Sequence, residues 1–426
     1  MKLKKLVLPL VGLAAVTTLA ACSNSKSTGT SSNPSSIQNS VTEDTTITFW
    51  HAMTGSSLKT LEKMTKDFEA AHPKIHVKLE SQSSYPSLQA KLTSTMQSPK
   101  NLPTLTQAYP GWLYNASKSD MLVDQANFLS NSEIGISGDE SIQPPLLKGA
   151  QLDGKQYGIP FNKSTEVLYY NKTLLDEYGI KVPTTKDELK EAAQKVWKKS
   201  NHTIVGAGFD SLNNYYSISM KDSGKEFNKE LDFTGSESQS TINYYFNGIK
   251  EGYFRIAGSD QYLNAPFDSK KLAFFVGSSV GESYLNKGID FEYGAAARPT
   301  KNNVQQGTDI YMFSSADKNQ QTAAYLYEKF LVSTKEQVYW ATQTGYMPVT
   351  NAGLTAKEYT ESKTSKVPAI IEKTTKHLFP LPIADNSDAA YSQLTASMQA
   401  ILSNPKGNLD DLMDAQAKQL KSVWNQ

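Results

Sequence analysis

Between residues 47 and 109 the chain alternates two hydrophobic rhythms, and this alternation narrows the possible folds more than any other feature. "ITFWHA", 47–52, reads as a strand. Leu58, Leu61, Met64 and Phe68 then share one helical face, with Pro73 just past its end. "KIHVKLE" alternates Ile75, Val77 and Leu79, a second strand; Leu88, Leu92 and Met96 mark a second helix, and "PTLTQAY" a third strand. A β-α-β-α-β order implies parallel strands with right-handed crossovers. Ligands of such sheets bind beyond the carboxyl ends of the strands, here Trp50-His51, Tyr85, and Tyr109 to Trp112.

The same rhythm resumes after "PFNKSTEVLYYNK", Pro160 to Lys172, in which a Ser/Thr pair precedes the apolar run Val167 to Tyr170. Helical pieces flank a Pro-Thr-Thr turn, then come the strand "IVGAGF", the helix "STINYYFNGIKEGYF", and the strands "KLAFFVGSS", "FEYGAAARP" and "TDIYMFSS". Helices Thr322 to Val332 and Lys335 to Gln343 lead to "TGYMPVT", and an amphipathic helix from Leu409 to Trp424 closes the chain. For 426 residues, two α/β sets joined by crossing strands fit better than one large sheet. The expected fold class is therefore α/β.

The first 22 residues differ. Lys2, Lys4 and Lys5 precede "LVLPLVGLAAVTTLA", followed by Ala21 and Cys22, the pattern of a secretory signal. Pro9, Gly12 and two threonines break the run, which is short for a spanning helix. The quartet "LAAC" resembles the bacterial lipobox, whose cysteine is lipidated and becomes the first residue. An acylated Cys22 would bury several chains at about 0.8 kcal/mol per CH2, enough for stable membrane attachment. Cys22 is the sole cysteine, so the cores must carry stability without a disulfide. "SNSKSTGTSSNPSSIQNSVTED", residues 23–44, reads as a polar tether. Removing residues 1–21 leaves 40 basic and 42 acidic residues, a balance that gives no reason to expect nucleic acid as a partner.

Nothing in the sequence proposes a nucleophile paired with a base. His51, His72, His76, His202 and His377 form no metal-binding motif, and no Walker loop or helix-opening GxGxxG occurs. Neither an enzyme nor a cofactor or metal is expected. The 22 tyrosines and 5 tryptophans stand out instead. Tyr244, Tyr245, Tyr325 and Tyr327 read as core, whereas Tyr85, Tyr109, Trp112 and Tyr346, at strand ends and turns, are candidates for a cleft.

"ITFWHAM", "PFNKSTEVLYYNK" and "TGYMPVT", in this order and spacing, resemble the extracellular solute-binding proteins (family 1) of ABC importers, and among them the glycerol-3-phosphate-binding members. The resemblance spans about residues 47–426. It implies the two-lobed periplasmic-binding-protein type II fold, with residues 45–160 and 305–355 in one lobe and 161–304 and 356–426 in the other, and a ligand closed between them. It places phosphate contacts on Tyr85, Ser164, Ser278, the backbone of Gly307, and Tyr346. The family's Glu for glycerol hydroxyls falls on Pro110, its cleft Trp near Ser211 or Leu212, and its phosphate-pairing Arg finds no counterpart around Ile383 to Asn386. Of the two arginines, Arg255 and Arg298, the latter is placed to restore a cation. The implied partners are a small solute and the permease and ATPase subunits, with the protein a monomer held at the outer face of the membrane by its lipid.

The implied ligand is glycerol 3-phosphate, a glycerophosphodiester or a related phosphorylated polyol. An oligosaccharide stacked on Tyr109 and Trp112 is the alternative, and a sensor or adhesin on the same fold a third reading. Cys22→Ala should release the protein from the membrane or leave it unprocessed. Intact-mass measurement of an unlipidated mature wild-type protein would contradict lipidation.

Overall fold

The computed structural model describes residues 37–426 except Lys287; the signal segment 1–21, Cys22 and the tether to residue 36 lie outside the described residues. In chain order the strands are β1 Thr45–His51, β2 Ile75–Ser81, β3 Leu105–Ala108, β4 Gly158–Ser164, β5 Glu166–Asn171, β6 Val205–Phe209, β7 Phe254–Ile256, β8 Leu272–Ser278, β9 Tyr293–Ala297, β10 Asn303–Val304, β11 Gln306–Met312 and β12 Leu378–Phe379. They form two five-stranded sheets, ordered β2-β1-β3-β11-β4 and β7-β6-β8-β5-β9, and a small pair β10-β12.

The alternation seen in the sequence becomes the first sheet directly. Ile47 and Phe49 of β1 point into the core, where Leu61, Met64 and Phe68 of the Gly55–Ala71 helix cover them. β1 pairs in parallel with β2 and β3. Ser84 caps the Tyr85–Thr95 helix, its hydroxyl accepting from Ser87 N–H, with Pro86 in the first turn. β11 then enters antiparallel to both β3 and β4, closing the sheet.

β4 and β5 belong to different sheets and are separated by Thr165 alone. Phe161 to Ser164 still belong to β4, so the change of lobe falls beyond the expected 160/161 boundary. Val167, Leu168 and Tyr169 are fully buried in the second lobe. The chain returns through residues 298–305 into β11. The expected 355/356 boundary falls among short helices, Asn351–Thr355, Lys357–Thr360 and Pro368–Thr375. Their Leu354, Tyr359 and Ile371 share a cluster with Ile159 of β4, Val167 of β5 and Phe275 of β8, so this run packs against both lobes.

Among the helices not anticipated from the sequence, the two longest are Leu212–Asp222 and Ser387–Leu402. Leu394, Met398 and Ile401 of the latter, with Met413 and Leu420 of the Leu409–Trp424 helix, complete the second lobe's core. The tether also ends earlier than its composition suggests. Ile37 and Val41 pack on the first lobe, and Thr42 N–H donates to Asn319 Oδ1 at 3.1 Å.

Just past β6, Asp210 presses its carboxylate against Gly277 of β8 and accepts from Leu263 N–H at 2.7 Å. Burial pushes its pKa from 3.8 up to about 7; the Leu263 N–H opposes this and the Glu166 charge adds to it. Since the folded value exceeds the unfolded one, Asp210's contribution is complete below the unfolded value and is lost as pH rises through about 7. Asp210→Asn keeps the acceptor without the titration. The melting temperature of the parent should therefore fall relative to Asp210→Asn between about pH 4 and about pH 7; parallel curves would contradict this.

Candidate functional site

A cavity of about 570 Å³ opens between the lobes and collects side chains from distant parts of the sequence. The first lobe supplies Tyr85 and Gln89 from the Tyr85–Thr95 helix, and Tyr109 and Trp112 after β3. It also supplies Ser164 at the end of β4, Gly307 in β11, and Tyr346. The second lobe supplies Ser278 at the end of β8, Asn214, Asp388, Tyr391 and Trp424.

Three rings build one wall. Tyr85, Tyr109 and Trp112 meet edge to face, with centroids 5.5 Å (Tyr85–Tyr109), 6.1 Å (Tyr85–Trp112) and 5.2 Å (Tyr109–Trp112) apart. Opposite, Phe227 lies 5.7 Å from Trp424 and 6.3 Å from Tyr391. Tyr346 is stacked on the buried Trp340 at 5.8 Å, which fixes its hydroxyl 3.5 Å from that of Tyr85. Burial raises the pKa of Tyr109, Tyr346 and Tyr391 far above the usual phenol range, so these hydroxyls stay protonated and remain hydrogen-bond donors.

The floor is where β4 and β11 lie side by side. Ser164 is buried and its hydroxyl makes no hydrogen bond among the described residues. Ser278 accepts from Val280 N–H at 3.3 Å, which leaves its own hydrogen free to donate. Gly307 has φ +86°, and a Cβ there would sit 2.0 Å from the Asn162 carbonyl oxygen, so only glycine fits.

The cations nearest the cleft floor, Lys163 and Arg298, are paired within the protein. Lys163 donates to Asp309 Oδ1 at 3.0 Å and to the Gly307 carbonyl at 3.1 Å, both side chains being buried. Arg298 does not line the cavity. It lies behind it, Nε on Glu166 Oε2 at 2.9 Å and Nη1 on Thr300. The expectation of a cleft cation at Arg298 is therefore corrected: Glu166, one residue past the crossing, takes its charge. Glu166 in turn accepts from Asn214 Nδ2 at 2.8 Å.

Asp388 is the cleft carboxylate that sequence reasoning missed. It accepts from Gln89 Nε2 at 3.0 Å across the cleft, and its Cβ lies 3.3 Å from where a Cβ on Gly111 would stand. Burial raises its pKa, with Gln89 opposing. A second cross-cleft contact joins Lys118 to Asp385 at 2.9 Å. Asp388, Tyr391 and Trp424 come from the two C-terminal helices, of which the first went unassigned. The spacing of Ala390, Leu394, Met398 and Ile401 is the signal that marks it.

Residues 63–367 match the bacterial extracellular solute-binding proteins, and the chain belongs to that family. Its members capture a solute for an ABC importer and are binding proteins rather than enzymes. The sn-glycerol-3-phosphate-binding periplasmic protein UgpB of Escherichia coli (strain K12) is 25% identical over 335 residues, 72% of this chain and 75% of its own. UgpB from Mycobacterium tuberculosis, solved in complex with glycerophosphocholine, shares the fold at TM-score 0.77 and 18% identity, covering 89% of this chain and 98% of its own. A Listeria monocytogenes ABC substrate-binding protein in complex with cycloalternan does so at TM-score 0.76 and 16% identity, covering 90% and 100%.

Gly307→Ala should cost about 1–3 kcal/mol through its backbone alone, seen as a lower urea midpoint. An unchanged midpoint would mean that β11 accommodates a side chain there.

Proposed function

We propose that this protein is the lipid-anchored, monomeric binding subunit of an ABC importer, at the outer face of the membrane, and that it captures a glycerophosphodiester or related phosphorylated polyol by lobe closure. The observation that carries this reading is the meeting of Tyr85, Ser164, Ser278, Gly307 and Tyr346 in one cavity. Four hydroxyls and a strand backbone, drawn from both lobes, suit an anion held by neutral donors.

The charge of that anion is argued from the cavity lining, where no unpaired cation stands among the described residues. Lys163 is already paired with Asp309 and Arg298 with Glu166. A phosphate dianion buried there would keep much of its desolvation cost, whereas a diester monoanion needs less compensation. Asp388 stands beside Gly111, next to Pro110, where the resemblance calls for a Glu that holds glycerol hydroxyls. Gln89 engages its Oδ2, leaving Oδ1 as an acceptor for polyol hydroxyls. Free glycerol 3-phosphate then binds more weakly than glycerophosphocholine.

A second reading, an oligosaccharide, is favoured by the Tyr85–Tyr109–Trp112 wall, whose ring faces and edges offer stacking surface to a sugar. Calorimetry against glycerol 3-phosphate, glycerophosphocholine and maltose separates the two. The expected order places glycerophosphocholine first; tighter binding of maltose than of either phosphate overturns the phosphate reading. Small-angle scattering on the same samples should show a smaller radius of gyration with saturating ligand, because Gln89–Asp388 and Lys118–Asp385 contacts require the lobes together. An unchanged radius with binding established overturns closure.

A further inference from the structure

Under the cleft floor runs a chain of hydrogen bonds whose direction is set at its far end. The backbone N–H of Ala52, just past β1, donates to Gln107 Oε1 at 2.9 Å. The Gln107 amide nitrogen therefore faces the other way and donates to Asn162 Oδ1 at 2.7 Å. Thr308 Oγ1 donates to that same oxygen at 2.7 Å. With its oxygen doubly occupied, Asn162 turns Nδ2 to the Tyr85 hydroxyl at 3.0 Å. Gln107, Asn162 and Thr308 are wholly buried, so no solvent competes for these groups.

The direction of an amide chain is ordinarily ambiguous, since oxygen and nitrogen can exchange places. Here a backbone N–H fixes it, because that group only donates. Reversing both amides would set Gln107 Nε2 against the Ala52 N–H, two donors facing each other, and would leave that N–H without an acceptor. The cost of such an orphan exceeds the worth of an ordinary hydrogen bond.

We infer that Gln107 and Asn162 are positioning residues that make Tyr85 an obligate donor to the ligand. The Tyr85 oxygen already accepts from Asn162, so its hydrogen must turn outward, toward the cavity or the Tyr346 hydroxyl 3.5 Å away. The floor then selects a ligand oxygen that carries no hydrogen, above all a charged one, at this point. A sugar hydroxyl gains less there, though it can rotate to suit either direction. The inference rests on the phosphate reading only for the identity of that oxygen; the direction of the chain stands without it.

Two substitutions reverse the chain without altering its shape. Asn162→Asp, ionised, only accepts, so the Tyr85 hydrogen turns inward to it. Gln107→Glu still accepts from Ala52 but faces the Asn162 oxygen with another acceptor, which flips Asn162 and again draws the Tyr85 hydrogen inward. The second variant places its charge one residue further from the ligand. It also keeps the question open to measurement if the first fails to fold, which thermal melting reports.

Binding of glycerophosphocholine, glycerol 3-phosphate and maltose by calorimetry reads the outcome. For whichever phosphate binds the parent, each variant should weaken affinity at least about 10-fold, while maltose binding changes by less than about 3-fold. In a Tyr85→Phe background most of that phosphate loss should vanish, because no hydroxyl is left to orient. Equal losses with and without Tyr85, or equal losses for phosphate and sugar, overturn the inference and reduce both residues to a packing role. Failure of the parent to bind either phosphate overturns the functional reading instead; maltose binding reduced by both variants to the same extent with and without Tyr85 would then overturn the relay as well.

Discussion

One residue carries the chain from the first sheet to the second, and the cleft exists because of it. Thr165 separates β4 from β5, its hydroxyl donates to the Val304 carbonyl at 2.9 Å, and its own carbonyl accepts from Ser279 N–H at 2.7 Å. Asn303 Nδ2 adds a bond to the Glu166 carbonyl at 2.7 Å. The outgoing and returning crossings are thus tied side by side. Ser164 and Gly307 lie immediately on one side of this tie and Ser278 on the other, so any rotation of one lobe against the other pivots beside the candidate ligand contacts. Short connections that absorb rotation are the common hinge solution in two-lobed binding proteins.

The electrostatics around the pivot follow a single pattern, in which buried charge is paired inside the protein before a ligand arrives. Lys163 faces Asp309 and Arg298 faces Glu166, each pair shielded from water. Breaking either by removing one partner would strand a buried charge, which is why such pairs resist exchange even where their net worth is small. What remains for a ligand is the Asp388 carboxylate as an acceptor and a set of neutral donors whose directions are fixed by packing and by hydrogen bonds behind them. Tyr346 is held by Trp340, and Tyr85 by Asn162. Preorganised donors of this kind lose little freedom on binding.

Much of the architecture could be read from residue patterns. β1, β2 and the Gly55–Ala71 helix declare themselves through period-two and period-four hydrophobics, and the final helix runs from Leu409 to Trp424 as the sequence suggests. The Leu212–Asp222 helix escaped notice because it is buried on most sides and carries Tyr215, Tyr216 and Ser217 in place of a clean apolar stripe. In the site, Tyr85, Tyr109, Trp112 and Tyr346 were legible as aromatics at strand ends and turns. Asp388 was not, since an acid near a helix start reads as a solvated cap until Gln89 and Gly111 are brought against it from the other lobe. Arg298 failed for the same reason in reverse: nothing local to it announces Glu166, 132 residues away in sequence.

The central proposal is that this cleft holds a phosphorus-bearing polyol by neutral donors. Its most direct test is the ligand itself, released by denaturing protein purified from its native cells and examined by mass spectrometry and phosphorus NMR. The expected result is a phosphodiester of glycerol, or a closely related phosphorylated polyol, in near-stoichiometric amount. A neutral saccharide in that position, with no phosphorus signal, would contradict it.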